Sequence, residues 1–185
     1  MTYMEKSIAS LLLLLLTFPV AAAELKIVTP KGYVAFTVED HWPVLNMQMK
    51  LPVTASVYQI PNNADKGTSD STNLAINIYD PKSTQAKQAL TKVGKQLGTK
   101  APVVEQYDNW TLYWQEPAQG GTTYTLVDAK RSFENYIISV RLAWPHLRRN
   151  PAGYDKQMYQ TLRTVLSHIR VHTGPVTPGK DEVIR

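Results

Sequence analysis

Two short pairs, Asp80-Pro81 and Asn150-Pro151, divide a chain that otherwise reads in strands. After each pair the apolar residues change from alternation to helical spacing. Ala86, Leu90, Val93 and Leu97 follow the first, and Tyr154, Met158, Leu162, Val165, Leu166 and Ile169 follow the second. An Asp or Asn side chain can accept from the free amides of a first turn, and proline loses nothing at the first helical position. The spacing predicts two amphipathic helices, one ended by Gly98 and one running to about Arg170.

Before and between these helices, short alternating runs bounded by turn residues predict strands at 25–28, 33–38, 44–50, 56–60, 73–79, 103–107 and 110–115. Val34, Phe36 and Val38 share one face of the second run, and Leu74, Ile76 and Ile78 share one face of the fifth. Residues 122–130 and 136–143 read as a hairpin around 131–135, with Arg141 pointing away from the Val140 and Leu142 face. Pro117 to Gly121 reads as a loop. Short connections favour antiparallel pairing. The expected fold class is α+β, a mostly antiparallel sheet covered by two amphipathic helices, as a single domain over 24–172 with a loose tail over 173–185.

The N-terminus predicts the compartment. Lys6 precedes an apolar run from Ile8 to Val20, and Ala21-Ala22-Ala23 supplies small residues at a cleavage position. Residues 1–23 read as a secretory signal peptide, with no stable membrane insertion after its removal. The chain contains no cysteine, so neither a lipid anchor on cysteine nor a disulfide is available. That combination predicts a periplasmic protein held together by packing. A net charge of +5 suits an acidic partner, peptidoglycan or anionic lipid, whereas nucleic acid is an unexpected partner after export.

Catalytic signatures are absent: no phosphate loop, dinucleotide fingerprint or serine elbow occurs. Glu39, Asp40 and His41 offer acid and base groups, but in a polar turn between strands. His168 and His172 stand four apart at a helix end without a third metal ligand. Asn62, Asn63, Asp65, Ser69 and Asp70 place oxygen ligands in the loop 61–71, with spacing that departs from a calcium loop. No cofactor and no metal are expected.

Binding determinants are easier to find. Trp110, Leu112 and Trp114 share parity on one strand, and much of the Trp and Tyr content is expected in the core. The stretch VRLAWPHLRRNPAGYDKQM, residues 140–158, joins a strand to a helix, and prolines force 146–150 into a loop that reaches solvent. Two adjacent arginines exceed what a junction needs. Trp, Tyr and Arg carry much of the energy at protein interfaces. Asn62, Asn63, Asp65, Asp70, Trp144, His146, Arg148, Arg149 and Tyr154 are therefore the candidate partner-binding residues.

The order of these motifs resembles a PsbP-like domain: an early strand pair leading to His41-Trp42-Pro43, a helix after 73–80, then YTLVDAKR, YIISVRLAWP and a long final helix. The resemblance implies an α/β/α sandwich that binds proteins. Exported bacterial members of this architecture include immunity proteins against cell-wall-degrading effectors of type VI secretion. The expected function is thus a non-enzymatic periplasmic inhibitor whose partner is such an effector. The competing expectations are a small periplasmic hydrolase using Glu39, Asp40, His41 and His146, and an envelope protein that binds a ligand or peptidoglycan.

Overall fold

Most of the alternating runs pair with a neighbour in sequence, and the rest pair across longer connections. A computed structural model describes residues 22–29, 31–50, 53–62, 70–91 and 102–174. The elements are β1 (Ala22–Thr29), β2 (Gly32–Glu39), β3 (Val44–Lys50), β4 (Val53–Ile60), β5 (Thr72–Tyr79), α1 (Thr84–Thr91), β6 (Val103–Tyr107), β7 (Trp110–Gln115), β8 (Ala118–Gln119), β9 (Thr122–Ser132), β10 (Ile137–Pro145), α2 (Tyr154–His168) and β11 (Arg170–Thr173). A large sheet runs in the order β3-β4-β5-β10-β9-β7-β6, with β8 paired to β9, and a small sheet runs β1-β2-β11. Every pairing among the described residues is antiparallel. The fold is α+β and dominated by antiparallel sheet.

Alternation assigns the two faces of the large sheet. Tyr58, Leu74, Ile76, Ile78, Val140 and Leu142 are buried on one face, with Val127 and Leu112 beside them. Full burial of such side chains contributes about 1.5–3 kcal/mol each. α2 covers this face with Tyr154, Met158, Leu162, Val165 and Leu166. The small sheet adds Ile27, Val34, Phe36 and Val38 to the same core, with Phe36 edge-on to Tyr58 at 6.4 Å. The apolar stripe of α2 and the parities of β2, β5 and β10 agree with the sequence expectations.

The cover itself differs from expectation in three ways. First, the core face carries a cover that the sequence did not predict: α1 lies on the opposite face of the large sheet from α2, where Lys130 donates to the Ala89 carbonyl. The second cover on the core face is therefore the small sheet. Second, neither Asx-Pro pair supplies the cap. Ser83 Oγ accepts the Ala86 N–H at 3.0 Å, while Asp80 Oδ1 accepts the Lys82 N–H in a turn upstream. α2 begins after Gly153 at φ 78 with no side-chain cap, and Asn150 donates instead to the Pro145 carbonyl at 2.8 Å. Third, α2 ends at His168 and the chain continues as β11 over Arg170–Thr173, so Arg170, at the expected helix end, and Thr173, the first residue of the expected tail, are both in strand.

β11 requires glycine at position 32. Gly32 has φ 137, and a Cβ there would lie inside the His172 carbonyl. Small side-chain volume lets the two backbones close up, and Tyr33 then stacks on His172 at 4.9 Å. The residues after Pro117 also differ from the expected loop, forming the tight β8–β9 hairpin across Gly120-Gly121. The signal-peptide assignment for residues 1–21, the loop 63–69, the helical positions Val93 and Leu97 with Gly98, and the tail from 175 onward lie outside the described residues. Ala22 and Ala23, expected within the leader, pair with Glu39 and Val38 in β1.

Candidate functional site

Proline ends β10 and leaves residues 146–153 to bridge to α2. His146, Arg148 and Arg149 are exposed there, as the sequence predicted. Trp144 and Tyr154 are buried at 1% and 6% exposure, so they support this segment from beneath instead of meeting a partner. The Trp144 indole donates to Asp155 at 2.7 Å, and the Tyr154 hydroxyl bonds Thr72 at 2.7 Å. Trp144 also meets Trp114 edge-on at 6.4 Å.

The flanks of the loop 61–71 come to the same end of the sheet. Asn62 donates to Asn150 at 3.4 Å. Asp70 accepts from Thr122 at 2.9 Å and from Tyr124 at 2.6 Å. His146 is held by its backbone to Thr123 and by its ring to Thr125, at 2.6 Å. The structure thus gathers Asn62, Asp70, His146, Arg148 and Arg149 into one end, while Asn63 and Asp65 lie outside the described residues.

The other sequence candidates do not assemble into a reactive site. Asp40 and His41 are exposed in the turn after β2, and His146 bonds Thr125 rather than His41. Glu39 has one buried carboxylate oxygen without a hydrogen-bond partner, beside a cleft of about 310 Å³ between β2 and α2. His168 closes α2 with its ring on the Thr164 carbonyl, whereas His172 sits in β11 and stacks on Tyr33. The strand between them ends the helical spacing that a shared metal would need. Among the described residues no group of three or more His, Cys, Asp or Glu could hold a metal. No helix among them is long and apolar enough to cross a membrane.

A second, polar site lies on the face of the large sheet beneath α1, and the sequence reading passed over it. Asp128 stands directly opposite Arg141 in the β9–β10 ladder, and Lys130 stands opposite Ser139. Asp128 is 3% exposed and Lys130 is 7% exposed. Both Asp128 oxygens are satisfied. Oδ1 accepts from Ser139 at 2.7 Å, and Oδ2 accepts from Arg141 at 2.9 Å with the Lys130 ammonium 3.7 Å away. Burial pushes the Lys130 pKa down, and the Asp128 charge pulls it back up. Burial likewise raises the Tyr79 hydroxyl, helped by Asp128 and opposed by Arg141. Val53, Asn77, Tyr79, Gln85, Gln88 and Ala89 complete the walls of a cleft of about 370 Å³. One sequence signal could have located it. Asn77 and Tyr79 share the parity opposite Leu74, Ile76 and Ile78, and Asp128 and Lys130 share the parity opposite Val127 and Ala129.

No protein-family model matches the chain, and no curated protein matches it by sequence. Among solved structures it is similar to LpqN, described as involved in cell envelope biogenesis of Mycobacterium tuberculosis. That likeness has a TM-score of 0.50 and 10% identity, and covers 83% of this chain and 92% of LpqN. A protein of Bacteroides thetaiotaomicron VPI-5482 aligns with a TM-score of 0.47 and 11% identity over 80% of this chain, which spans about half, 48%, of that one. The likeness to LpqN establishes a shared antiparallel α+β fold.

Proposed function

We propose that this chain is an exported, non-enzymatic binding protein of the cell envelope, and that its loop end engages a protein partner. Its most concrete form is an immunity protein of PsbP-like type that blocks a secreted, peptidoglycan-active toxin. The observation that carries this reading is the bracing of the loop end. Asn62, Asp70, His146 and Asn150 are each tied to a neighbouring element, so the exposed arginines rise from a braced platform. A pre-ordered edge loses little conformational entropy on binding, which an inhibitor needs. The net charge of +5 favours an acidic partner face. The envelope role of LpqN, which shares the fold, is consistent with the compartment.

The test is affinity capture from envelope and secreted fractions of the source cells, using the tagged protein and its Arg148→Glu, Arg149→Glu double variant. Recovery of one cell-wall hydrolase by the protein, and its loss from the variant, is the expected outcome. Inhibition of that hydrolase in a sacculus-lysis assay would complete the case. Equal recovery by both proteins, or recovery of no specific partner, rejects the reading.

A further inference from the structure

We infer that the cleft beneath α1 is a binding site for a small polar monocarboxylate, with Arg141 as its anion anchor. This goes beyond the partner-binding reading and rests on different residues. Asp128 and Lys130 are buried on a sheet face that α1 covers only in part, and three charged side chains share it. Replacing such a cluster with apolar residues of similar volume is often neutral or stabilising, so architecture alone does not call for it. The cluster is also organised. Ser139, Arg141 and Lys130 all address Asp128, which is thereby engaged as the shared counter-charge of the cluster.

Arg141 is the group with capacity left over. Its side chain is 45% exposed, and one N–H is committed to Asp128. A guanidinium carries five N–H donors in a fixed plane, so the remainder can take a carboxylate. Asp128 holds that plane in place from behind, as a positioning residue. Two cations and one carboxylate leave a single net positive charge in the cleft. One charge matches a monoanion and disfavours a dianionic phosphate brought close to Asp128. The remaining walls fix the body of the ligand. Asn77 and Gln85 present amides and Tyr79 a neutral phenol, which suit hydroxyl and amide groups more than a hydrocarbon. A volume of about 370 Å³ lies at the small end of ligand pockets, which run roughly 300–1,000 Å³. A sugar acid or the C-terminus of a short peptide meets these requirements.

Titration of the isotope-labelled protein, followed by amide NMR shifts, separates the sources. The probes are N-acetylmuramic acid, alanyl-alanine, N-acetylglucosamine as the neutral sugar and inorganic phosphate as the dianion. Saturable shifts at Asn77, Gln85, Asp128 and Arg141 with one or both carboxylates, and none with the other two, are expected. The stronger of the two carboxylates identifies the sugar or the peptide source. Arg141→Gln should weaken that binding at least tenfold. Gln85→Glu, at an exposed residue of the cleft wall, should weaken it by repulsion without disturbing Asp128, and serves if the first variant fails to fold. No saturation by either carboxylate, equal binding of N-acetylglucosamine, or unchanged affinity in the folded variants overturns the inference. Arg148 and Arg149 take no part, so failure here leaves the partner-capture result standing, and the reverse also holds.

Discussion

Trp144 and Asp155 are joined by a 2.7 Å hydrogen bond that ties the end of β10 to the first turn of α2. The indole N–H is a donor only and is buried, so losing its acceptor costs about 1–3 kcal/mol. The Asp155 carboxylate also stands where the helix dipole favours negative charge. The bond does for α2 part of what a side-chain cap would have done. Asp155→Ala is expected to destabilise the protein by about 1–3 kcal/mol, with Asp155→Asn retaining most of the stability because an acceptor remains. Urea unfolding of the three proteins measures this, and equal midpoints would reject the bridging role.

Gly32 controls whether β11 can join the small sheet. A methyl group at this position meets the His172 carbonyl, and φ 137 is strained for any residue with a Cβ. Gly32→Ala should cost about 1–3 kcal/mol and release the strand locally. Hydrogen exchange is the decisive measurement. Amides of Arg170 to Thr173 should lose protection while those of β5 and β10 keep theirs. Uniform loss across the sheets would mean that β11 is not a separable unit.

Asp80 makes the fold sensitive to acid. The Lys82 N–H donates to Oδ1 at 3.0 Å, and the Lys31 ammonium donates to Oδ2 at 3.1 Å. These bonds, the backbone one first, hold the carboxyl below its ordinary 3.8. A depressed carboxylate contributes stability above its unfolded pKa, and that contribution disappears as pH falls through the folded pKa. The stability difference between the protein and Asp80→Asn should be steady at about pH 5 to 7 and shrink progressively as the pH falls below the ordinary carboxyl value. Urea midpoints across this series check it, and a difference independent of pH removes the linkage.

The period of the hydrophobic pattern carried most of the fold. Leu74, Ile76 and Ile78 alternate without interruption because one face of β5 is fully covered, and such a run is hard to misread. Cap chemistry was harder. Asp80 and Asn150 have the right side chains in the right order, yet Ser83 and Gly153 stand closer to the helices, and tertiary contacts to Lys31 and Pro145 claimed the other two. β11 was illegible because its pairing depends on Gly32, some 140 residues earlier, and no local signal carries that contact. At the loop end, exposure of His146, Arg148 and Arg149 followed from prolines. Tyr154 stood both in the apolar stripe of α2 and among the partner-binding residues, as an aromatic at a junction fits a core or an interface equally well, and its burial with Trp144 places both in the core. The polar cleft was hidden for a further reason: its charges come from β9 and β10 and its amides from β5 and α1, so only the hairpin register brings Asp128 opposite Arg141.

Asp128 and Lys130 should respond to substitution very unequally. Removing the carboxylate leaves the buried Lys130 ammonium beside Arg141 without a counter-charge, and breaking a buried pair in that way costs about 3–5 kcal/mol. Removing the ammonium leaves Asp128 paired with Arg141 and bonded by Ser139, so no buried charge is stranded and Lys130→Met should cost about 1 kcal/mol, the worth of an ordinary hydrogen bond. The pH dependence gives an independent reading. Without Asp128 the Lys130 pKa falls further below its ordinary 10.5, because burial and Arg141 both push it down. Between the depressed and ordinary values the unfolded chain binds more protons than the folded one, so stability rises with pH. Asp128→Ala should therefore recover part of its lost stability between about pH 7 and 9, a range below the onset of tyrosine ionisation in the unfolded chain. Denaturation of both variants at the two pH values tests the assignment. Equal costs for the two substitutions, or an Asp128→Ala protein that gains nothing at the higher pH, would show that Asp128 does not neutralise Lys130.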